Sequence, residues 1–119
     1  MAKVLVVDDA AFMRVRAAKL LQDHGHEVVQ AENGVDAVRQ YGQHKPDAVL
    51  MDITMPEMDG LAALKEIKKL DPSARVAMVT AMGQQAIVME ALKAGARDFV
   101  LKPFQPDRVL GALQKLLAA

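Results

Sequence analysis

The chain has 119 residues, a length that fits one domain and is too short for two separate hydrophobic cores. Fifteen basic and fifteen acidic side chains give a formal net charge of zero, and no run of lysine or arginine exceeds two residues, so the sequence lacks the basic patch of a nucleic-acid-binding protein. Cysteine is absent, which excludes disulfides and thiolate metal sites.

Five apolar, β-branched runs predict strands, and a helical pattern of apolar residues follows each one. The predicted strands are Val4–Val7, Glu27–Ala31, Ala48–Met51, Val76–Thr80 and Asp98–Leu101. The predicted helices lie around Met13–Leu21, from Asn33-Gly34 to about Gly42, from Leu61 to Leu70, from Gln84 to Ala94, and around Val109–Leu117. Strict alternation of strand and helix favours an α/β fold with a five-stranded parallel sheet and helices on both faces.

Acidic residues follow two of the predicted strands. Asp8 and Asp9 end the first strand, and Asp52 ends the third. In an open parallel sheet, ligands bind beyond the carboxyl ends of the strands, and two unit charges about 4 Å apart repel by roughly 4 kcal/mol at an effective dielectric near 20. A divalent cation would offset this cost, and Mg²⁺ prefers such oxygen ligands. The simpler alternative for the adjacent pair is that one of them caps the following helix.

Two further polar residues end strands at the same edge. Thr80 closes the fourth strand and Lys102 follows the fifth. Each alone is compatible with an ordinary strand end. Together with three acids they favour a phosphoryl-transfer site, in which Mg²⁺ and an ammonium group neutralise charge on the transferred group and a carboxylate attacks phosphorus. The product, an acyl phosphate, could act as a switch.

Four motifs in this order resemble the receiver domain of response regulators, and specifically the stand-alone chemotaxis response regulators. They are Val-Asp-Asp with Phe-Met-Arg downstream, Met-Asp-Ile-Thr-Met-Pro-Glu-Met-Asp-Gly at 51–60, Thr-Ala-Met-Gly-Gln-Gln at 80–85, and Leu-Lys-Pro-Phe at 101–104. The resemblance spans essentially the whole chain. It implies a flavodoxin-like (βα)5 fold with strand order 2-1-3-4-5, an order that is a known example of this sheet class.

The resemblance also implies roles for individual residues. Asp52 would accept the phosphoryl group, Asp9 would bind Mg²⁺ directly, and Asp8 would help either directly or through water. Asp52 itself and the backbone carbonyl of Thr54 would be further metal ligands. Thr80 and Lys102 would contact the phosphoryl group, and the Lys102-Pro103 peptide bond would be cis.

A second set of residues would transmit the switch. By the resemblance, Phe99 is a switch aromatic whose ring turns inward when Thr80 moves toward the phosphoryl group, although core packing alone could explain a Phe here. The helix after Gly83 spreads its apolar residues more widely than one buried stripe needs, which favours a partner surface over dense packing. The candidate partner-face residues are Gln84, Gln85, Val88 and Phe99.

Three other functions are considered for this sequence. Phosphohydrolases of the haloacid-dehalogenase type also use an aspartate nucleophile, but they place a second Asp where this chain has Thr54. Flavodoxins bind the cofactor phosphate with a hydroxyl-rich loop, where this chain has Asp8-Asp9. A phosphorelay intermediate would differ only at its docking surface. Thr54 and Met82 modulate water access to the acyl phosphate in this family, and neither is acidic or an amide here.

The prediction is therefore a signalling protein and not an enzyme in the ordinary sense, although it assists its own phosphorylation and dephosphorylation. We expect one receiver domain over residues 1–119 with no output domain. A histidine kinase would phosphorylate it, a flagellar motor switch protein would bind the phosphorylated form, and a phosphatase is a further candidate partner. The short apolar runs and the early first strand argue against a membrane span or signal peptide, so a cytoplasmic monomer is expected.

Overall fold

Strands and helices alternate five times in the computed structural model, which describes residues 2–53, 55, 58–81 and 83–118. The strands are β1 (Lys3–Val7), β2 (Glu27–Ala31), β3 (Ala48–Asp52), β4 (Val76–Thr80) and β5 (Asp98–Leu101). The helices are α1 (Ala11–Asp23), α2 (Gly34–His44), α3 (Gly60–Leu70), α4 (Gln85–Lys93) and α5 (Pro106–Leu117). Thr54 and Met82 lie outside the described residues.

All four strand pairings are parallel, and the strand order is β2-β1-β3-β4-β5. The predicted α/β class, the parallel sheet and the strand order are confirmed. The chain moves outward from β1 to β2 and then returns across β1 to β3, so the order reverses between β1 and β3. This reversal opens a crevice at the carboxyl ends of these two neighbouring strands, where a ligand can bind.

Alternate residues of each strand enter two separate cores, because successive strand side chains point to opposite faces of the sheet. On one face, Leu5 and Val7 pack in a cluster with residues of α2, α3 and α4. On the other face, Val4 and Val6 pack with residues of α1 and α5. Covering on both faces explains why β1 and β3 are continuously apolar up to their carboxyl ends.

The start of α3 is packed directly against the end of β3. The Gly60 N–H donates to the carbonyl of Ile53 over 2.7 Å, and Asp59 caps the helix by accepting from Ala62 N over 2.9 Å. A Cβ at residue 60 would overlap the backbone carbonyl oxygen of Asp52. Glycine therefore allows the helix to approach the strand end closely, which fixes the backbone of Asp52.

The element ends differ slightly from the sequence prediction. Asp52 is itself the last residue of β3, α2 continues to His44, and Gln84 precedes α4 as its cap residue. Adding or losing one residue at the end of a strand or helix changes its free energy little. The ends are therefore hard to place from a sequence pattern alone. Within the described residues, no helix is long and apolar enough to cross a bilayer.

Candidate functional site

Three carboxylates converge at the crevice between β1 and β3. One oxygen from each of Asp8, Asp9 and Asp52 lies within 4.8 Å of the others. Register explains the meeting, because Val7 pairs with Met51 and the two strands therefore end side by side. Asp8 and Asp52 are buried, whereas Asp9 is exposed. The predicted convergence of these three acids is what the structure shows.

Lys102 reaches the same crevice from the end of β5. Its Nζ lies 2.9 Å from an oxygen of Asp8 and 3.2 Å from an oxygen of Asp52. The ammonium group therefore bridges the acids of two strands. Burial alone would lower the pKa of Lys102, but its contacts with the two carboxylates raise that pKa above its ordinary value. The Lys102-Pro103 peptide bond that follows is cis.

Helix capping does not account for the adjacent acids. Ala10, not Asp8 or Asp9, is the cap residue of α1, and within the described part of the chain no side chain caps this helix. One oxygen of Asp8 accepts from Ala10 N over 2.9 Å, which fixes the turn before the helix. Its other oxygen faces Lys102. The capping alternative is thus wrong for the helix N-terminus, and Asp8 is held with one oxygen in the crevice.

The electrostatics of the crevice are unfavourable to the ionised form of Asp52. Burial and the neighbouring charge of Asp8 raise its pKa, Lys102 lowers it by a smaller amount, and Asp9 adds a further increase, so that the pKa of Asp52 rises to about 6. One lysine cannot balance three carboxylates. The remaining negative charge is the physical signature of a site that is completed by a cation.

The residues present fit a magnesium ion. Mg²⁺ takes oxygen ligands, typically one or two carboxylates with water and phosphate oxygens completing the shell. The crevice offers carboxylate oxygens from two adjacent strands, and exposure of Asp9 leaves room for water. Thr54, whose carbonyl was predicted as a further ligand, lies outside the described residues. The described donors alone therefore provide an acidic, all-oxygen pocket of the required kind.

Thr80 stands at the carboxyl end of β4 with only 1% of its surface exposed. It lies one residue beyond Val79, which pairs with Asp52 across the sheet. Its hydroxyl group, however, is within 2.6 Å of Oε1 of Gln84 and 3.2 Å of the carbonyl of Ala81. The sequence prediction placed Thr80 at the correct edge but gave no sign of the partner that its hydroxyl has here.

The predicted partner face forms an apolar groove of about 240 Å³ between α4 and β5, which Thr80 also lines. Gln84, Gln85, Val88 and Phe99 all line it, so the four predicted residues do lie together. Val88 is buried and packs into the core, whereas the neighbouring Met89 is 55% exposed. The expectation that part of this helix faces solvent is correct, but Val88 forms the floor of the groove and is not an exposed side chain.

Two arginines of α1 were missed by the sequence prediction. Arg14 donates from Nη1 to the carbonyl of Asp8 over 2.8 Å and so supports the turn that carries the two acids. Arg16 lies between the rings of Phe12 and Phe104, 5.7 and 5.6 Å from their centroids. This stack joins α1 to the loop after Lys102. Phe12 and Arg16 are four residues apart on α1 and therefore share a helix face. The contacts of Arg14 with Asp8 and of Arg16 with Phe104 depend on the fold.

Comparison with known proteins gives the same family from independent evidence. Residues 4–114 match the model of the response regulator receiver domain. The chain is 59% identical to chemotaxis protein CheY of Bacillus subtilis over 97% of both chains. It is 56% identical to chemotaxis protein CheY of Thermotoga maritima over 96% of both chains.

A solved structure is also closely similar. A chain in the crystal structure of the CheX-CheY-BeF3-Mg²⁺ complex from Borrelia burgdorferi superposes with a TM-score of 0.91 and 35% identity, covering 96% of this chain and 87% of that one. The similarity includes almost the entire sheet and its helices. It therefore extends the agreement from sequence to the backbone that positions the crevice.

Proposed function

This chain belongs to the response regulator receiver family, in the group of CheY-type phosphorylation-activated switches, and on that premise we propose that a histidine kinase phosphorylates it on Asp52 and that the phosphorylated form binds a flagellar motor switch protein. The single observation that carries the proposal is the crevice itself. Three carboxylates lie within 4.8 Å of one another, and one lysine contacts two of them.

In the proposed reaction, a carboxylate oxygen of Asp52 forms a bond to phosphorus while the phosphorus–nitrogen bond of a phosphohistidine breaks. The electron pair of the broken bond stays on the leaving imidazole nitrogen. Mg²⁺, when bound, neutralises negative charge on the carboxylates and phosphoryl oxygens. Asp8, Asp9 and Asp52 would hold the metal, with the carbonyl of Thr54 as a further predicted ligand.

Lys102 and Thr80 would bind the product. The Lys102 ammonium already lies 3.2 Å from Asp52, so a phosphoryl group on that carboxylate would lie within its reach. Thr80 would donate its hydroxyl proton to a phosphoryl oxygen after a local rearrangement. We propose that Phe99 then changes its burial beside Thr80, since both side chains line the groove next to α4.

The partner assignments rest on the groove and on the relatives. The groove is apolar and is lined by exposed as well as buried side chains, as a docking surface requires. CheX is present with CheY in the similar Borrelia burgdorferi complex. For the present chain we propose a phosphatase as a further partner. The cytoplasmic location and monomeric state expected from the sequence stay predictions.

The proposal is tested by treating the protein with phosphoramidate, a small donor that needs no kinase, and measuring its intact mass. Wild type should gain one phosphoryl group when Mg²⁺ is present and should gain none when EDTA replaces the metal. Asp52→Asn should gain none under either condition. Asp23→Asn, which changes an exposed acid at the end of α1, is the matched control and should behave like wild type.

Two outcomes would contradict the assignment. Equal modification of wild type and Asp52→Asn would remove Asp52 as the acceptor. Sustained release of phosphate from an organic phosphomonoester over many turnovers would favour the phosphohydrolase alternative. We expect no sustained turnover of a phosphomonoester.

A further inference from the structure

The side chain of Gln84 holds the β4–α4 loop and the Thr80 hydroxyl at the same time. Its Oε1 lies 2.6 Å from Oγ1 of Thr80 and 3.0 Å from the backbone N of Ala81. A backbone N–H can only donate. The amide atom that faces it must therefore be the oxygen, which fixes the orientation of the Gln84 amide without ambiguity between oxygen and nitrogen.

This orientation determines where the Thr80 proton points. Because Oε1 of Gln84 can only accept, the Thr80 hydroxyl must be the donor in their contact. A hydroxyl group has one proton, so Thr80 cannot donate to Gln84 and to a phosphoryl oxygen together. The nearby Ala81 carbonyl, 3.2 Å away, is the only other acceptor recorded for this hydroxyl among the described residues.

We propose that Gln84 is a positioning residue that keeps the Thr80 hydroxyl out of the phosphoryl site, so that phosphorylation of Asp52 must first break the Thr80–Gln84 hydrogen bond. This inference rests on the proposed function and adds a regulatory element to the same site. In the unphosphorylated protein the contact stabilises the inactive arrangement. The phosphoryl group and Gln84 thus compete for one proton.

The location of Gln84 connects this competition to the partner face. Gln84 is the residue before α4, and it lines the groove together with Thr80 and Phe99. When Thr80 turns away, the Gln84 carbonyl loses the bond from the Thr80 hydroxyl and keeps the one from Ala81 N–H. The wall of the groove therefore changes when the Thr80 hydroxyl exchanges Gln84 for a phosphoryl oxygen, and it changes on the face that we expect a partner to contact.

The test uses beryllofluoride with Mg²⁺ as a mimic of the phosphoryl group, and the apparent affinity is measured by ¹⁹F NMR titration. Gln84→Met keeps the length of the side chain but removes the acceptor. It should bind the mimic about two- to tenfold more tightly than wild type, which is the range that a typical net hydrogen-bond contribution corresponds to. Gln43→Met, the same change at an exposed position of α2, should leave the affinity unchanged.

A double-mutant cycle separates this role from a merely structural one. In a Thr80→Val background the hydroxyl is absent, so Gln84→Met should give no gain in affinity. An equal gain with and without the Thr80 hydroxyl would overturn the proposal, because Gln84 would then act on the loop alone. Unchanged affinity of Gln84→Met in the otherwise native protein would overturn it as well.

A second measurement follows release directly in the native sequence. The side-chain amide signals of Gln84 should shift in step with the bound fraction when the mimic is added, since its carbonyl loses the Thr80 donor. Signals that stay fixed at saturation would show that the bond persists and would contradict the proposal. Failure of wild type to bind the mimic at all would instead contradict the proposed function, so the two hypotheses fail in distinguishable ways.

Discussion

Asp52 and Asp98 are both largely buried acids that contact a basic side chain, yet their pKa values move in opposite directions. Their side chains are 7% and 11% exposed, so the depth of burial does not separate them. The pKa of Asp52 rises to about 6. Burial also tends to raise the pKa of Asp98, but hydrogen bonds from Arg108 and from the Phe99 N–H hold it below its usual range.

The difference lies in how many acids share each base. Among the described residues, Asp98 is the one acid that contacts Arg108, with guanidinium contacts of 3.2 and 3.1 Å. Asp98 also accepts a backbone bond of 2.8 Å from Phe99. Asp52 shares Lys102 with Asp8, and Asp9 adds more negative charge nearby. A one-to-one pair stabilises the fold, whereas an excess of acid creates a place for an added cation.

The largest effect on the unfolding free energy should come from removing the charge of Asp52 in the absence of metal. The folded protein binds this proton more tightly than the unfolded chain, in which an aspartate has a pKa of about 3.9, so raising the pH from 4 to 7 favours unfolding. Wild type should lose up to about 3 kcal/mol of unfolding free energy over this interval, from a shift of about two units at 1.36 kcal/mol each. Asp52→Asn should not show this loss.

Urea unfolding of both proteins in EDTA at several pH values measures this difference. Asp23→Asn serves as the control and should follow the wild-type pH dependence. A gap between wild type and Asp52→Asn that stays constant from pH 4 to pH 7 would mean that Asp52 is an ordinary ion-paired acid like Asp98. The contrast between the two sites would then be lost.

Adding Mg²⁺ should stabilise the folded protein through the crevice acids and not through Asp98. A ligand that binds only the folded protein at a hundredfold excess over its Kd stabilises it by about 2.7 kcal/mol, and we expect this effect for wild type. Asp9→Asn should require a clearly higher Mg²⁺ concentration for the same rise in Tm. Asp98→Asn should respond to Mg²⁺ as wild type does, and a loss of the response in this variant would contradict the division between the sites.

Breaking the pair of Arg108 and Asp98 should lower the unfolding free energy at pH 7, whereas Asp52→Asn should raise it. The change should also be smaller than the one at Asp52. Arg108→Met removes both bonds to Asp98, so we expect a loss of about 1–2 kcal/mol at pH 7, reduced from that of a fully buried pair because Arg108 is partly exposed. Asp98 has a lowered pKa in the folded protein, so its contribution is present above pH 4 and disappears as the pH falls through that lowered pKa. The deficit of the variant should shrink accordingly in acid unfolding curves.

Lys19→Met provides the reference for a pair that matters little. Lys19 and Asp23 are 3.6 Å apart, with 77% and 59% of their side chains exposed, and such pairs contribute only a few tenths of a kcal/mol. If Arg108→Met were no more destabilising than this change, the hydrogen bonds to Asp98 would not be stabilising the fold. The pH dependence of Arg108→Met would then need another source.

The sequence was sufficient to predict the fold class and the edge of the sheet at which the crevice residues lie, because both follow from simple geometry. Alternating patterns imply a parallel sheet, and residues that follow parallel strands lie at the same edge of that sheet, which places Asp8, Asp52 and Lys102 along one edge. The order of the strands came from the family resemblance. Without that order, the edge position of Asp52 would be known but its neighbours would not.

The finer features depended on loop conformation and could not be predicted. Nothing in the pattern shows that Asp8 is the buried one of the adjacent acids, since both follow the strand in a turn. The direction of the Thr80 hydroxyl depends on a loop that returns Gln84 to it. Arg108 and Asp98 are ten residues apart on different elements, and their pairing follows from the packing of α5 on the sheet.

Tyr41 and Asp71 allow hydrogen bonding to be separated from charge pairing. The Tyr41 hydroxyl donates to Asp71 over 2.7 Å. This bond and those from Ser73 hold the pKa of Asp71 below its ordinary value, and the charge of Lys68 lowers it by a smaller amount, without an ion pair among the described residues. Tyr41→Phe should destabilise the fold by about 0.5–1 kcal/mol at pH 7 and should raise the pKa of Asp71, as followed by carboxyl ¹³C NMR. Since an acid with a lowered pKa stabilises the fold only when ionised, the destabilisation should shrink as the pH falls through the lowered pKa of Asp71. An unchanged pKa of Asp71 would show that a neutral hydrogen-bond donor does not lower the pKa of a carboxylate as Arg108 lowers that of Asp98. Nearby positive charge would then be the cause of the lowered pKa of both acids.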